Sequence, residues 1–232
     1  MSKKPQSRRT GGALATTGED PGKYAIAGTK IEALEIYRVP SVHPSGSGPW
    51  ADEADKVSWL DAPTGLPCIM RRGEDGALSG FVGVGPSHPL FGFGEDALPH
   101  DPPIEVHGGI DYAEPCDEEG QPEVSVCHVH DRRGVWARDP ATATAVAALP
   151  AQLWWFGFSC NHSYDLVPGS RHREALSAEN GRVYRDETYV AREITGMAAQ
   201  LHAIAEGRDP SSSIRGDRPA RGLDAYDPRN AS

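Results

Sequence analysis

The chain has 232 residues, of which 38% are hydrophobic and 24% charged, and 23 Lys+Arg stand against 33 Asp+Glu for a formal charge of −10. That length allows one domain with a real core, or two small ones. The acidic balance argues against broad binding to nucleic acid or anionic membranes, where phosphates call for clustered Lys and Arg, and no apolar run reaches the roughly 18 residues of a membrane span.

Lys3, Lys4, Arg8 and Arg9 make the N-terminus basic, but no apolar core of a secretory signal accompanies them. Residues 1–22 mix Lys, Arg, Ser, Thr and Gly without apolar period, and residues 208–232 hold a serine run with Pro210, Pro219 and Pro228. Both ends read as disordered tails around a single domain at 23–207. Four cysteines in a chain of this size do not require a disulfide scaffold. The expected setting is a reducing cytoplasm, with the thiols as core, metal or reactive groups.

Lys30 to Val39 carries Ile31, Leu34, Ile36 and Val39, a spacing that fits a helix in one half and a strand in the other. A Pro/Gly/Ser-rich loop follows from Pro40 to Trp50. Leu66, Cys68 and Met70 alternate and predict a strand to Arg72, with Phe81–Val84 as its hairpin partner. Pro86 to Pro103 reads as a long loop carrying Phe91 and Phe93, in which His88 between Ser87 and Pro89 holds the loop. Ile104 to Tyr112 is a strand candidate interrupted by Gly108-Gly109. Val124 to His130 is another, and Ala141 to Leu149 suits a short helix.

The run from Leu153 to Asp165 is the most apolar and aromatic in the chain and ends in chemistry-bearing residues. As a strand it places Trp154, Phe156, Phe158, Cys160 and His162 on one face and Trp155, Gly157, Ser159 and Asn161 on the other. The strongest helix spans Glu187 to Glu206. Val190, Ile194, Met197, Leu201 and Ile204 form one apolar stripe, with Asp186 to cap the start and Gly207 the end. Together these elements predict an α+β fold: a mixed, largely antiparallel sheet with one long C-terminal amphipathic helix packed on it.

Two clusters can carry chemistry. Cys160 and His162 offer thiolate and imidazole ligands for zinc, and Asp165 can take the second imidazole N–H in support. Around His107, Glu105 and Asp111 are candidate bases, while Gly108 and Gly109 let a ligand approach the backbone closely. His107, Cys160 and His162 are therefore the expected metal ligands, and Glu105, Asp111 and Asp165 the expected catalytic carboxylates. Cys116, Cys127, His128 and His130 carry a weaker metal signal, since Cys-x10-Cys is not a zinc-knuckle spacing. Cys68, between Leu66 and Met70, reads as core. No Gly-x-Ser-x-Gly elbow, P-loop, HExxH or CxxC is present.

Several stretches, taken in order, resemble a family of bacteriophage-encoded proteins of unassigned function that is found also in actinobacterial prophages. They are Gly48-Pro49-Trp50, Asp55-Lys56-Val57, Thr64 to Cys68, Gly80 to Val84 with His88-Pro89, Val106 to Ile110, Cys127-His128-Val129, Trp154 to Phe158 with Cys160, His162 and Asp165, Tyr184-Arg185-Asp186 and Tyr189-Val190. The family pattern reads Phe-Asp-Cys-Ala-His-Ala-Gly-Asp where this chain has Phe158 to Asp165. Ser159 thus replaces a carboxylate, while Cys160, His162 and Asp165 are retained. The resemblance implies a phage origin and a host-cytoplasmic location. The expected function is a zinc-dependent hydrolase or similar small-molecule enzyme. The competing expectation is a non-catalytic protein that engages a host factor or small ligand through the Pro86–Pro103 loop.

Overall fold

Alternating apolar residues in short runs pair into one sheet because each run can bury only one face by itself. The computed structural model describes residues 24–116, 120–127, 140–169 and 181–213. Its strands are β1 (Ala33–Tyr37), β2 (Lys56–Leu60), β3 (Pro67–Arg72), β4 (Leu78–Val84), β5 (Tyr112–Pro115) and β6 (Trp154–Ser159). They form a six-stranded sheet in the order β1-β2-β3-β4-β6-β5, and every pairing is antiparallel. The helices are α1 (Pro140–Ala147) and α2 (Glu187–Ala205).

The β3–β4 hairpin, α1 and α2 follow the sequence reading, and the ambiguous Lys30–Val39 segment resolves as strand. The predicted tails lie almost wholly outside the described residues. Two strand expectations are corrected. Ile104 to Asp111 is loop, and pairing begins only at Tyr112. Val124 to Cys127 is turn and bend, while His128 and His130 fall outside the described residues. β2 is a strand the sequence reading passed over, although Val57 and Trp59 alternate with Lys56 and Ser58.

Each face of the sheet is covered differently. On one, Val57, Cys68, Met70, Val82, Phe156 and Phe158 meet the α2 stripe of Val190, Ile194, Met197 and Leu201. Each of those four helix residues is fully buried, a contribution of about 1.5–3 kcal/mol per side chain. Gly80 permits the approach, because a Cβ there would come within 2.5 Å of Ile194 Cγ1. Asp186 caps the helix by accepting from the Tyr189 amide, and Gly207 ends it at φ 69°. His88 holds its loop as expected, with Nε2 2.9 Å from the Leu201 carbonyl and Nδ1 accepting from the Leu90 amide at 3.1 Å.

The other face carries Ile69, Phe81 and Trp155 beneath Val126 and Leu153. The irregular segment that brings Val126 there is tied at both ends. Lys56 Nζ donates to the carbonyls of Pro122 and Ser125, and Arg71 donates to that of Val124. Cys116 and Cys127 are joined as a disulfide, with Cα atoms 4.8 Å apart. This corrects the reading of those two residues as core, metal or reactive thiols. Cys68 and Cys160 are free and buried. Among the described residues no helix is long and apolar enough to cross a membrane.

Candidate functional site

β6 delivers its side chains as alternation predicts, with Phe156 and Phe158 on the helix side and Trp155 on the other. The strand ends at Ser159, although Cys160 still falls on the helix side with Phe156 and Phe158. Beyond it the backbone turns, the Asp165 amide donating to the His162 carbonyl at 2.9 Å. The turn sets the Asp165 carboxylate beneath the His162 amide, which donates to Oδ2 at 3.1 Å.

His107 arrives from the loop after Ile104, and α2 clamps that loop. The Glu105 amide donates to Gln200 Oε1 at 2.7 Å, Gln200 Nε2 donates back to the Glu105 carbonyl at 2.8 Å, and the His107 amide donates to Glu193 Oε2 at 2.7 Å. Tyr189, Glu193 and Gln200 form a polar line along α2, each adjacent in sequence to a residue of the buried stripe or of its flank. The helix thus buries one row and uses the next to hold the loop.

Asp165 is the centre. Its Oδ2 lies 2.9 Å from His107 Nε2 and 3.4 Å from His162 Nδ1, while Oδ1 accepts from Arg185 Nε at 3.0 Å. His107 Nδ1 is 2.9 Å from the Tyr189 hydroxyl, and the Arg185 guanidinium lies 4.8 Å from the Tyr189 ring centroid. Burial alone would raise the Asp165 carboxyl. Hydrogen bonds from His107 and His162, the charge of His107 and the bond from Arg185 outweigh it and hold the group well below the usual carboxylate range. Asp165 and His107 are sealed from solvent, whereas the His162 side chain is 27% exposed. One donor atom from each of His107, His162 and Asp165 lies within 4.8 Å of the others, so the three could hold a metal ion.

No family model, curated protein or solved structure matches the chain. What can be said of the site therefore rests on its own geometry.

The structure brings His107 and His162 together, with ring centroids 5.4 Å apart. Asp165, expected in a supporting role, stands among the three donors. Cys160 does not join them. It lies 2% exposed in the helix-side core, and burial pushes its thiol far up. The expectation that Cys160 and His162 share an ion is corrected: Cys160 keeps the helix-side face that alternation gave it, but the chain has left the strand by His162 and the donor cluster forms without the thiol. Asp111 does not lie on the strand expected from Ile104 to Tyr112. Instead its Oδ2 accepts from the Ser159 amide at 3.1 Å. Although Asp111 as a whole is exposed, desolvation of its carboxyl raises the pKa, opposed by Ser159 and by the nearby His162. Glu105 enters through its backbone, clamped to Gln200. Gly108 has φ 69° and lies against the His162 ring, while Gly109 at φ 93° borders open space and takes no part in the donor cluster.

Sequence reasoning missed Tyr189, Glu193 and Arg185 as functional candidates. The signal for the first two was available: polar residues at i and i+4 beside an apolar stripe face whatever packs along the helix flank.

Proposed function

We propose that the chain is a zinc-dependent hydrolase acting on a small molecule, with His107, His162 and Asp165 as the metal ligands. The observation that supports this is their convergence. Ligand atoms around tetrahedral zinc stand about 3.3 Å apart, given bonds near 2.0–2.1 Å, and Asp165 Oδ2 lies 2.9 and 3.4 Å from the two imidazole nitrogens. Imidazole and carboxylate are donors zinc accepts, and three protein ligands leave a position open for chemistry.

Bound there, zinc would lower the pKa of water to near 7 and so supply hydroxide at neutral pH. The chain's own residues prepare the ligands. Tyr189 and Glu193 orient His107 through its Nδ1 and its amide, and Arg185 holds the Asp165 oxygen that faces away from the imidazoles. Asp111, whose carboxyl is raised by burial and feels the charge of His162, would be the proton acceptor.

A second reading rests on a different observation. Phe93 is 41% exposed on the Pro86–Pro103 loop, while Phe91 packs near Trp154 at 6.2 Å between ring centroids. An exposed aromatic suits a binding protein that engages a host factor, with any metal structural. The bacteriophage resemblance belongs to the same level of proposal: it supplies an origin and no reaction.

Elemental analysis of protein purified without a histidine tag tests the metal. One zinc per chain is expected, and a chelator should lower the melting temperature. Absence of zinc, with stability indifferent to chelator and to added zinc, would sink the reading. If zinc is bound, turnover of chromogenic esters or phosphates that is lost in chelator and restored by zinc separates the enzyme from the binding protein.

A further inference from the structure

The His162 ring is held on more than one side. It stacks on Tyr164 with centroids 5.2 Å apart and planes 3° from parallel, and His107 meets both rings edge-on at 5.4 Å. A Cβ built on Gly108 would lie 2.2 Å from His162 Cε1 and 2.4 Å from Nε2, a separation that real atoms do not adopt. Tyr164 is itself 3% exposed, so the surface on which His162 stacks is part of the core.

We infer that Gly108 and Tyr164 are positioning residues that form a slot for the His162 imidazole and fix it towards Asp165 before any ligand arrives. The inference rests on the reading of His162 as a metal ligand. A partly solvent-facing side chain would ordinarily sample several rotamers, and binding would have to order it. In the slot that ordering is complete on folding. Gly108 therefore has two reasons to be glycine: its left-handed backbone and the ring pressed against it. Gly109 has the first only, because a Cβ there would meet nothing within 4 Å.

The two glycines separate backbone strain from ring placement. Gly109→Ala should lower stability and leave zinc affinity within about threefold of wild type, whereas Gly108→Ala should weaken zinc about 10–100-fold, the range for loss of a ligand's supporting contacts. In metal-free protein, the His162 ring-proton resonance should move in Gly108→Ala and hold its place in Gly109→Ala. Should Gly108→Ala fail to fold, Tyr164→Phe, which keeps the stack, should bind zinc more tightly than Tyr164→Leu, which removes it. Equal zinc affinities and unshifted ring resonances across these variants would overturn the slot. Failure of wild-type protein to bind zinc would instead overturn the metal reading, and the metal-free resonances would still decide whether the slot exists.

Discussion

Arg72 and Asp165 are both buried charges, 2% and 0% exposed, and each sits at the centre of a hydrogen-bonded network. The Arg72 guanidinium is saturated: Nε donates to Asp55, Nη1 to the Gly76 carbonyl and the Tyr184 hydroxyl, and Nη2 to Glu53 and the Ala54 carbonyl. A half-exposed imidazole borders this network too, since His43 Nδ1 lies 2.9 Å from Asp55. The side-chain exposures of His43 and His162 are 26% and 27%, so exposure does not distinguish the two sites. What differs is the cation. Around Arg72 it is built in covalently and two carboxylates close on it. Around Asp165, two imidazole nitrogens converge on one carboxylate oxygen, and Arg185 is turned to the other. The first arrangement is complete as a structural ion network, and the second has the form of a site.

The largest expected effect tests the completeness of the first. Arg72→Met leaves Glu53 and Asp55 buried without their guanidinium, and breaking such a network costs about 3–5 kcal/mol. Denaturant unfolding measures it, and a loss no greater than that of a surface substitution would erase the contrast. Lys56 sharpens the same point, because its buried ammonium is met by neutral carbonyls. Burial pulls its pKa down to about 8 from 10.5, with Glu35 opposing the shift. The unfolded lysine therefore keeps its proton to higher pH than the folded one, and between about pH 8 and 10.5 the unfolded state binds more protons. Stability from this group should rise with pH across that window, by about 3 kcal/mol at most. The wild-type-minus-Lys56→Met difference in unfolding free energy, followed from pH 7.5 to 10 with the disulfide intact, reads it. A flat difference would mean that the carbonyl cage compensates fully for burial.

The smallest effect on folding carries the most functional weight. His162→Ala and His43→Ala should each change metal-free stability by about 1 kcal/mol or less, as suits half-exposed side chains. Zinc affinity should fall at least tenfold in His162→Ala alone. Equal zinc binding by both variants would remove the distinction between the two networks.

Much of the fold was legible because burial imposes periodicity. The α2 stripe could be read at 3.6 residues per turn, and the β3–β4 hairpin and the two faces of β6 at two residues per repeat. His88 was legible as a loop anchor from its tight Ser-His-Pro setting. β2 was passed over although Val57 and Trp59 alternate, since Lys56 and Ser58 gave it a polar look. Both are buried, Lys56 against the segment around Val126 and Ser58 beside Glu35, and nothing local announces that cover. The Cys116–Cys127 pair was likewise invisible, because spacing alone does not bring two cysteines into contact.

The candidate site divides in the same way. Composition and period sufficed to show that His107 and His162 were worth attention, and that aromatic β6 would lie inside the sheet, because those properties depend on each segment's own side chains. Which donors meet was decided by the fold. The turn at 162–165 took His162 out of the strand it was expected to share with Cys160 and brought in Asp165, and α2 clamped the His107 loop with Tyr189, Glu193 and Gln200. A linear pattern specifies which face a residue occupies within its own element, whereas convergence depends on how separate elements pack, and that is set by the whole core at once.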